Sequence, residues 1–312
     1  MNRADPLAGL EQRSLWRATM PALPDRSGRA LPDTADVVVV GGGYTGLAAA
    51  RRLALARSHV VVLEAETLGW GASTRNGGIV HPGYKWGLAD LVRRHGPATG
   101  RRLFEESLEA YRFLVGLIRD EGIDADLRPN GYLELAWSPA HGEAFAAEAA
   151  ALAEVGVPAR VVEGAELAAE IGSRAYERGL VVEVGAVLHP GKWFAGLAAL
   201  ADRAGADLHE RVRVRAIRRQ ADGRFVVETS RGAILAREVV VATNGYTDGA
   251  APAVRRRIIP VGSYIVATEP LPAAVATALV PRGRGVFDSR NFLSYWQVSA
   301  DGRLVFGGRV SF

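Results

Sequence analysis

The sequence predicts an α/β fold in which a parallel, helix-covered sheet is interleaved with an α+β body built on an antiparallel sheet. Three stretches carry this expectation. Asp36 to Ala50 reads DVVVVGGGYTGLAAA, which places four valines directly before Gly41, Gly43 and Gly46. A second β-branched run, His59 to Leu63, ends on Glu64, and Val239 to Ala242 repeats the apolar pattern much later in the chain. Short runs unbroken by polar residues suit strands buried on both faces of a parallel sheet.

After the strand Val37 to Val40 the chain must turn sharply. Gly41 can take the backbone angles of that turn, Gly43 has no Cβ to hold a diphosphate away, and Gly46 lets the next helix lie close on the strand. The helix predicted over Tyr44 to Ala56 aims its N-terminal N–H groups and positive dipole end at such an anion. Glu64 lies 21 positions beyond Gly43 (64 − 43), where a carboxylate accepts hydrogen bonds from ribose hydroxyls. The candidate cofactor residues here are Gly41, Gly42, Gly43, Tyr44, Thr45 and Gly46, with Glu64 and Ala65. A glycine triplet alone is weak; the strand before it, the helix after it and the acid closing the next strand together read as a Rossmann-like dinucleotide site.

That fingerprint is common to nicotinamide and flavin proteins, so the following loop decides between them. Gly69 to Gly78 reads GWGASTRNGG. Its flexible backbone, the Ser73 hydroxyl, the Arg75 cation and the Asn76 amide suit a diphosphate and the polar edge of a flavin, with Gly77 and Gly78 completing the loop. With these residues the chain resembles the FAD-dependent oxidoreductases of the D-amino-acid oxidase type, and most nearly their gamma-glutamylputrescine oxidoreductase-like members. The matching pieces are SLWRATMPALP at 14–24, GGGYTGLAAA, Glu64-Ala65, GASTRNGG, VLHPGK at 187–192, VVVATNGYT at 239–247, YIVATEPL at 264–271 and DGRLVFGGR at 301–309. The likeness runs from about residue 14 to the last residue.

The resemblance implies FAD as cofactor, with the backbone near Val214 on the adenine edge and Ala242 at the end of a cofactor-facing strand. It also implies hydride transfer from the C–N carbon of an amine or amino acid to the flavin, then electron transfer to oxygen or another acceptor. The flavin supplies the redox chemistry and the protein supplies orientation, so no carboxylate dyad or Ser-His pair is needed. Glycine-oxidase-like members place a substrate-facing tyrosine where Tyr295 stands; Tyr264 is the second candidate. Tyr295 reads equally as a strand aromatic, and Tyr264 is the weaker candidate of the two. Gln297 stands where related chains often carry arginine, so a cationic anchor is lost there; Arg290 and Arg309 read better as structural. His81 is either a point of flavin attachment, as in some relatives, or a loop histidine before Pro82-Gly83. His189 reads as a strand end.

Composition narrows the field. The 312 residues are 48% hydrophobic and 23% charged, an ordinary globular balance. The lack of cysteine excludes disulfides, thiolate metal sites, a cysteine nucleophile and a cysteine-linked flavin, and six scattered histidines make no metal cluster. The net charge of +4 comes from dispersed arginines without interleaved aromatics, so no nucleic-acid partner is expected. No apolar run has signal-peptide length or the roughly 20 residues of a membrane span, and a cytoplasmic protein is expected.

Further elements follow in order. Leu88 to Glu121 has helical periodicity broken at Gly96-Pro97, hence two helices. A strand is expected at 131–137, helices at 139–154 and 164–169, a strand at 179–183 and a helix at 192–203. Strands at 207–210 and 212–217 precede a hairpin of 225–229 with 234–236, and then the strand 239–242. The expected bodies are a lead-in at 1–33, a cofactor domain at 34–85 and 187–250, and a substrate domain at 86–186 and 251–312. Arg303 to Phe312 reads as a strand with no polar tail, whereas the family continues into a second glycine-rich segment. The sequence is therefore expected to be a truncated form, which sets a non-catalytic dinucleotide-binding remnant beside the enzyme as the alternative.

Overall fold

The computed structural model describes residues 10–311, the side chains of 309–311 excepted, so the Arg309 side chain lies outside the described residues. In chain order the elements begin with α1 (Leu15–Thr19), β1 (Thr34–Val40), α2 (Tyr44–Leu55), β2 (Val60–Leu63), β3 (Ile79–Val80), α3 (Leu88–His95) and α4 (Pro97–Asp120). They continue with β4 (Tyr132–Leu135), α5 (Pro139–Glu154), β5 (Ala159–Glu163), α6 (Gly164–Ala168), β6 (Arg178–Val182), β7 (Ala186–Val187) and α7 (Pro190–Arg203). β8 (Asp207–His209), β9 (Val214–Arg219), β10 (Phe225–Thr229), β11 (Gly232–Val241), α8 (Pro252–Arg255) and β12 (Gly262–Ala267) follow. Last come α9 (Ala273–Leu279), β13 (Gly285–Asp288), β14 (Tyr295–Val298) and β15 (Leu304–Ser311).

A six-stranded sheet has the order β8-β2-β1-β11-β10-β9. Its first four strands are parallel and β9 and β10 antiparallel. The valine run of β1 is unbroken because its two faces meet different cores. Val37 and Val39 pack with Leu47, Phe194 and Leu197 from α2 and α7, while Val38 and Val40 pack with Val214, Val227 and Ile234. Each buried valine contributes about 1.5–3 kcal/mol, and alternation of side chains across the strand assigns them to opposite faces.

A seven-stranded sheet has the order β12-β15-β14-β13-β4-β6-β5. It is antiparallel except where β13 runs parallel to β4. That exception joins strands about 150 residues apart, a separation that leaves room for the crossover a parallel pair requires. One face carries Leu88, Phe104, Leu108 and Phe145 from α3, α4 and α5; the other carries Leu167 and Ala276 from α6 and α9. The α/β class expected from the sequence is the class observed.

Several boundaries differ from expectation. The predicted strands 234–236 and 239–242 are one ten-residue strand, β11. Arg237 and Glu238 hid its continuity; both are exposed where β10 has ended, and Arg237 lies 3.6 Å from Asp36. β5 was not foreseen because, as an edge strand, only Val162 of its five residues is buried. α7 starts at Pro190 rather than Lys192, since proline fits the first helical position and His189 supplies the cap. Among the described residues, no helix is long and apolar enough to cross a membrane, and no cluster of acidic or histidine side chains could hold a metal.

Candidate functional site

A cavity of about 640 Å³ opens at the C-terminal ends of β1, β2 and β11. Ligands in open α/β sheets bind at such strand ends. Its wall contains Gly41, Gly42, Gly43, Tyr44 and Thr45 from the turn after β1, then Glu64 and Ala65 from the end of β2. Ser73 and Asn76 come from the following loop, Val214 from β9, and Ala242 lies one residue past β11. These eleven sequence-selected residues line one cavity.

Gly41 and Gly46 are sterically obligatory. A Cβ on Gly46 would stand 1.9 Å from the Gly41 carbonyl oxygen, and one on Gly41, at φ +104°, would stand 2.6 Å from that of Ala242. Gly46 thus lies behind the wall, closing helix onto strand. Gly43 differs: its nearest neighbour to an added Cβ is Ser73 Oγ at 3.1 Å, so the missing side chain leaves room on the cavity side. The first turn of α2 has no side-chain cap of its own; instead the Tyr44 N–H donates to Ser73 Oγ at 3.0 Å. The glycine turn and the helix end therefore make a cradle for an anion.

Glu64 accepts hydrogen bonds from the N–H groups of Gly42 (Oε2, 2.9 Å) and Glu66 (Oε1, 3.0 Å). Each oxygen keeps a further lone pair for a sugar hydroxyl. The loop is stapled from within and behind. Asn76 Nδ2 donates to the carbonyls of Ala72 and Ser73, and its Oδ1 accepts from the Gly78 N–H. Trp16 Nε1 donates to the Asn76 carbonyl at 2.8 Å, so α1 of the lead-in braces the same loop. Tyr44 donates its hydroxyl to the Pro190 carbonyl at 2.9 Å, and burial pushes its pKa up, keeping it neutral.

Other sequence-selected residues lie outside the cavity wall. Arg75 is exposed, with Nε on the Trp70 carbonyl at 2.8 Å and its guanidinium 5.1 Å from the Trp70 ring. Gly77 and Gly78 face β14 instead. A Cβ on Gly77 would lie 2.7 Å from the Tyr295 ring, and one on Gly307 2.1 Å from it, so two missing side chains form the slot that holds this ring. The Tyr295 hydroxyl is 3.2 Å from Ser263 Oγ. Tyr264 is on β12 opposite Gly308 and is exposed. His81 stacks on Phe287 at 5.3 Å and packs at a tilt against Tyr132 at 4.9 Å, and burial lowers its pKa. His189 caps α7: Nδ1 accepts from the Lys192 N–H, leaving Nε2 to donate to Thr19 Oγ1.

Sequence reasoning missed three features. Gln297, only 1% exposed, donates from Nε2 to the Gly77 and Leu188 carbonyls at 2.6 and 3.3 Å while accepting from Arg128. Its signal was a polar residue at a core position of a strand. Trp70 and Tyr246 meet at the cavity wall, as do Glu66, Arg213 and Asp248. Trp70 stood within the loop already singled out, and Tyr246 directly after the β11 motif.

Residues 36–312 match the family described as FAD dependent oxidoreductase, DAO. The chain belongs to this family. FAD is accordingly the family's cofactor, and the glycine turn, Glu64 and the Ser73 loop fit its adenosine diphosphate half. The chain is 32% identical over 301 residues to the probable oxidoreductase OrdL of Rhizobium meliloti, covering 96% of this chain and 69% of that protein. It is 33% identical over 279 residues to the gamma-glutamylputrescine oxidoreductase of Escherichia coli, covering 89% and 65%. The chain thus spans about two thirds of the length of these curated relatives. Among solved structures, glycine oxidase from Geobacillus kaustophilus superposes with a TM-score of 0.71 at 23% identity, covering 90% of this chain and 72% of the other. That likeness concerns the fold.

Proposed function

We propose that this chain binds FAD in the cavity at the ends of β1, β2 and β11, as part of an oxidoreductase acting on the C–N bond of an amine or amino acid. The observation that carries the reading is the cradle itself: an uncapped helix end, a turn closed by glycines and a carboxylate held by two backbone N–H groups, all facing one cavity. The diphosphate belongs at the first turn of α2, the ribose at Glu64 and the adenine near Val214. Held there by the glycine turn and Glu64, FAD would supply the hydride acceptor. Asn76 and Ser73 fix the loop beside it, while Tyr295 and Tyr264, on strands of the seven-stranded sheet, are assigned to the substrate side. Similarity to the gamma-glutamylputrescine oxidoreductase supports an amine substrate. The same reading assigns 34–85 and 187–250 to the cofactor body, 86–186 and 251–312 to the substrate body, and a cytoplasmic location.

The test has two stages. Apoprotein reconstituted with FAD should retain a visible flavin band after gel filtration; no band removes the reading. Anaerobic addition of putrescine derivatives, sarcosine or glycine should then bleach it. Retention of the band without bleaching by any amine would identify this chain as a dinucleotide-binding remnant.

A further inference from the structure

The mouth of the cavity is framed by two segments distant in sequence, the loop after β2 and the turn after β11. Trp70 belongs to the first and Tyr246 to the second, and both line the cavity. Their ring centroids are 5.6 Å apart and their planes cross at 63°. Both rings are wet, Trp70 at 38% and Tyr246 at 53% exposure. Aromatic rings left in water at the edge of a cavity forgo the burial that would otherwise stabilise them, and such surface marks recognition.

The surroundings hold both rings in place. Arg75 bonds the Trp70 carbonyl and lays its guanidinium over the indole, backing one face of that ring. A Cβ on Gly71 would come within 3.2 Å of the Tyr246 ring, so glycine at this point lets the tyrosine reach across. The two segments are also joined by charge. Arg213 bridges Glu66 at 2.9 Å and Asp248 at 3.4 Å, one acid from each segment, and all three line the cavity.

We propose that Trp70 and Tyr246, packed edge to face, form an aromatic corner that binds a planar ring of the dinucleotide at the cavity mouth. The inference rests on the FAD reading and deepens it by naming two binding residues outside the glycine turn. A flat ring laid on one of these crossed planes meets the other edge-on, which removes water from both surfaces and adds the edge and face attraction between π-systems. Phenylalanine at either position preserves this contact; alanine removes it.

The experiment is a titration of apoprotein with FAD, followed by tryptophan fluorescence and flavin absorbance, in wild type, Trp70→Phe, Trp70→Ala, Tyr246→Phe and Tyr246→Ala. Each alanine should raise the Kd about tenfold and each phenylalanine less than about threefold, in keeping with a stacking contact. Trp70→Phe should lose the largest share of FAD-induced quenching although five of the six tryptophans remain. Apoprotein melting temperatures should stay together, because both side chains are exposed. Alanine variants that bind like wild type, or a Trp70→Phe protein quenched as fully as wild type, overturn the aromatic corner while leaving the cofactor reading standing. A wild-type protein that binds no FAD overturns both.

Discussion

Gly41 to Gly46 and Tyr295 to Gln297 both border the loop at 69–78, and they hold it by opposite means. The glycine turn works through absent side chains: helix, strand and loop approach so closely that an added Cβ meets backbone oxygen. The β14 side works through side chains that reach in, a ring seated over Gly77 and an amide that satisfies two carbonyls. At Gly41 and Gly46 the first region cannot tolerate an added atom, and the second cannot tolerate a lost donor. Substitutions in each should therefore fail for different reasons.

The largest effect is expected for Gly46→Val, whose Cβ has no room beside the Gly41 carbonyl. Urea unfolding should show a loss of about 3 kcal/mol or more, and FAD absorbance no retained cofactor. Gln297→Leu should cost about 2–3 kcal/mol, because the Gly77 and Leu188 carbonyls lose their donor within the core. Equal stability in the leucine variant would show that the β14 side merely touches the loop.

Two titrating groups sharpen the contrast away from the loop. Burial, with Glu148 and Asp288 nearby, raises Glu134 from 4.5 to about 7. A carboxyl whose folded pKa is raised destabilises increasingly as pH climbs from 4.5 to 7, and fully above that. Glu134→Gln should therefore stabilise by about 1–3 kcal/mol at pH 8, an advantage that fades toward pH 4.5 in parallel melting curves. His189 has the reverse sign. Burial lowers its pKa below 6.5, so the unfolded chain binds the extra proton and stability falls as pH drops below 6.5. His189→Asn keeps a capping side chain without the titration and should reduce the loss between pH 7.5 and 5. The residual slope belongs in part to His81, whose pKa is lowered for the same reason.

The glycine turn was legible in the sequence because its chemistry is local. Strand, glycines, helix and Glu64 lie within thirty residues (64 − 36 = 28), and each residue type answers a short-range demand. The β14 side was legible only in part. Tyr295 could be nominated through resemblance, but the glycines that seat its ring are Gly77 and Gly307, one far upstream and one on the neighbouring strand. Gln297 finds its carbonyl partners 220 and 109 residues away, which no local pattern encodes. The parallel β4–β13 pair was hidden for the same reason, and the edge strand β5 because only one of its residues is buried. Arg75 shows the limit of residue type alone: a cation in a phosphate-like loop turned outward to Trp70.

The central claim is that dinucleotide rests against the first turn of α2, and Gly43 isolates it from the fold. Gly43 has φ −83°, an ordinary angle for any residue, and an added Cβ meets only Ser73 Oγ. Isothermal titration of FAD into wild type and Gly43→Val, with melting curves of both apoproteins, reads binding and folding separately. The account predicts matched melting temperatures, one-site binding to wild type and no binding heat from the variant. Equal heats from the two proteins, or none from wild type, would contradict it.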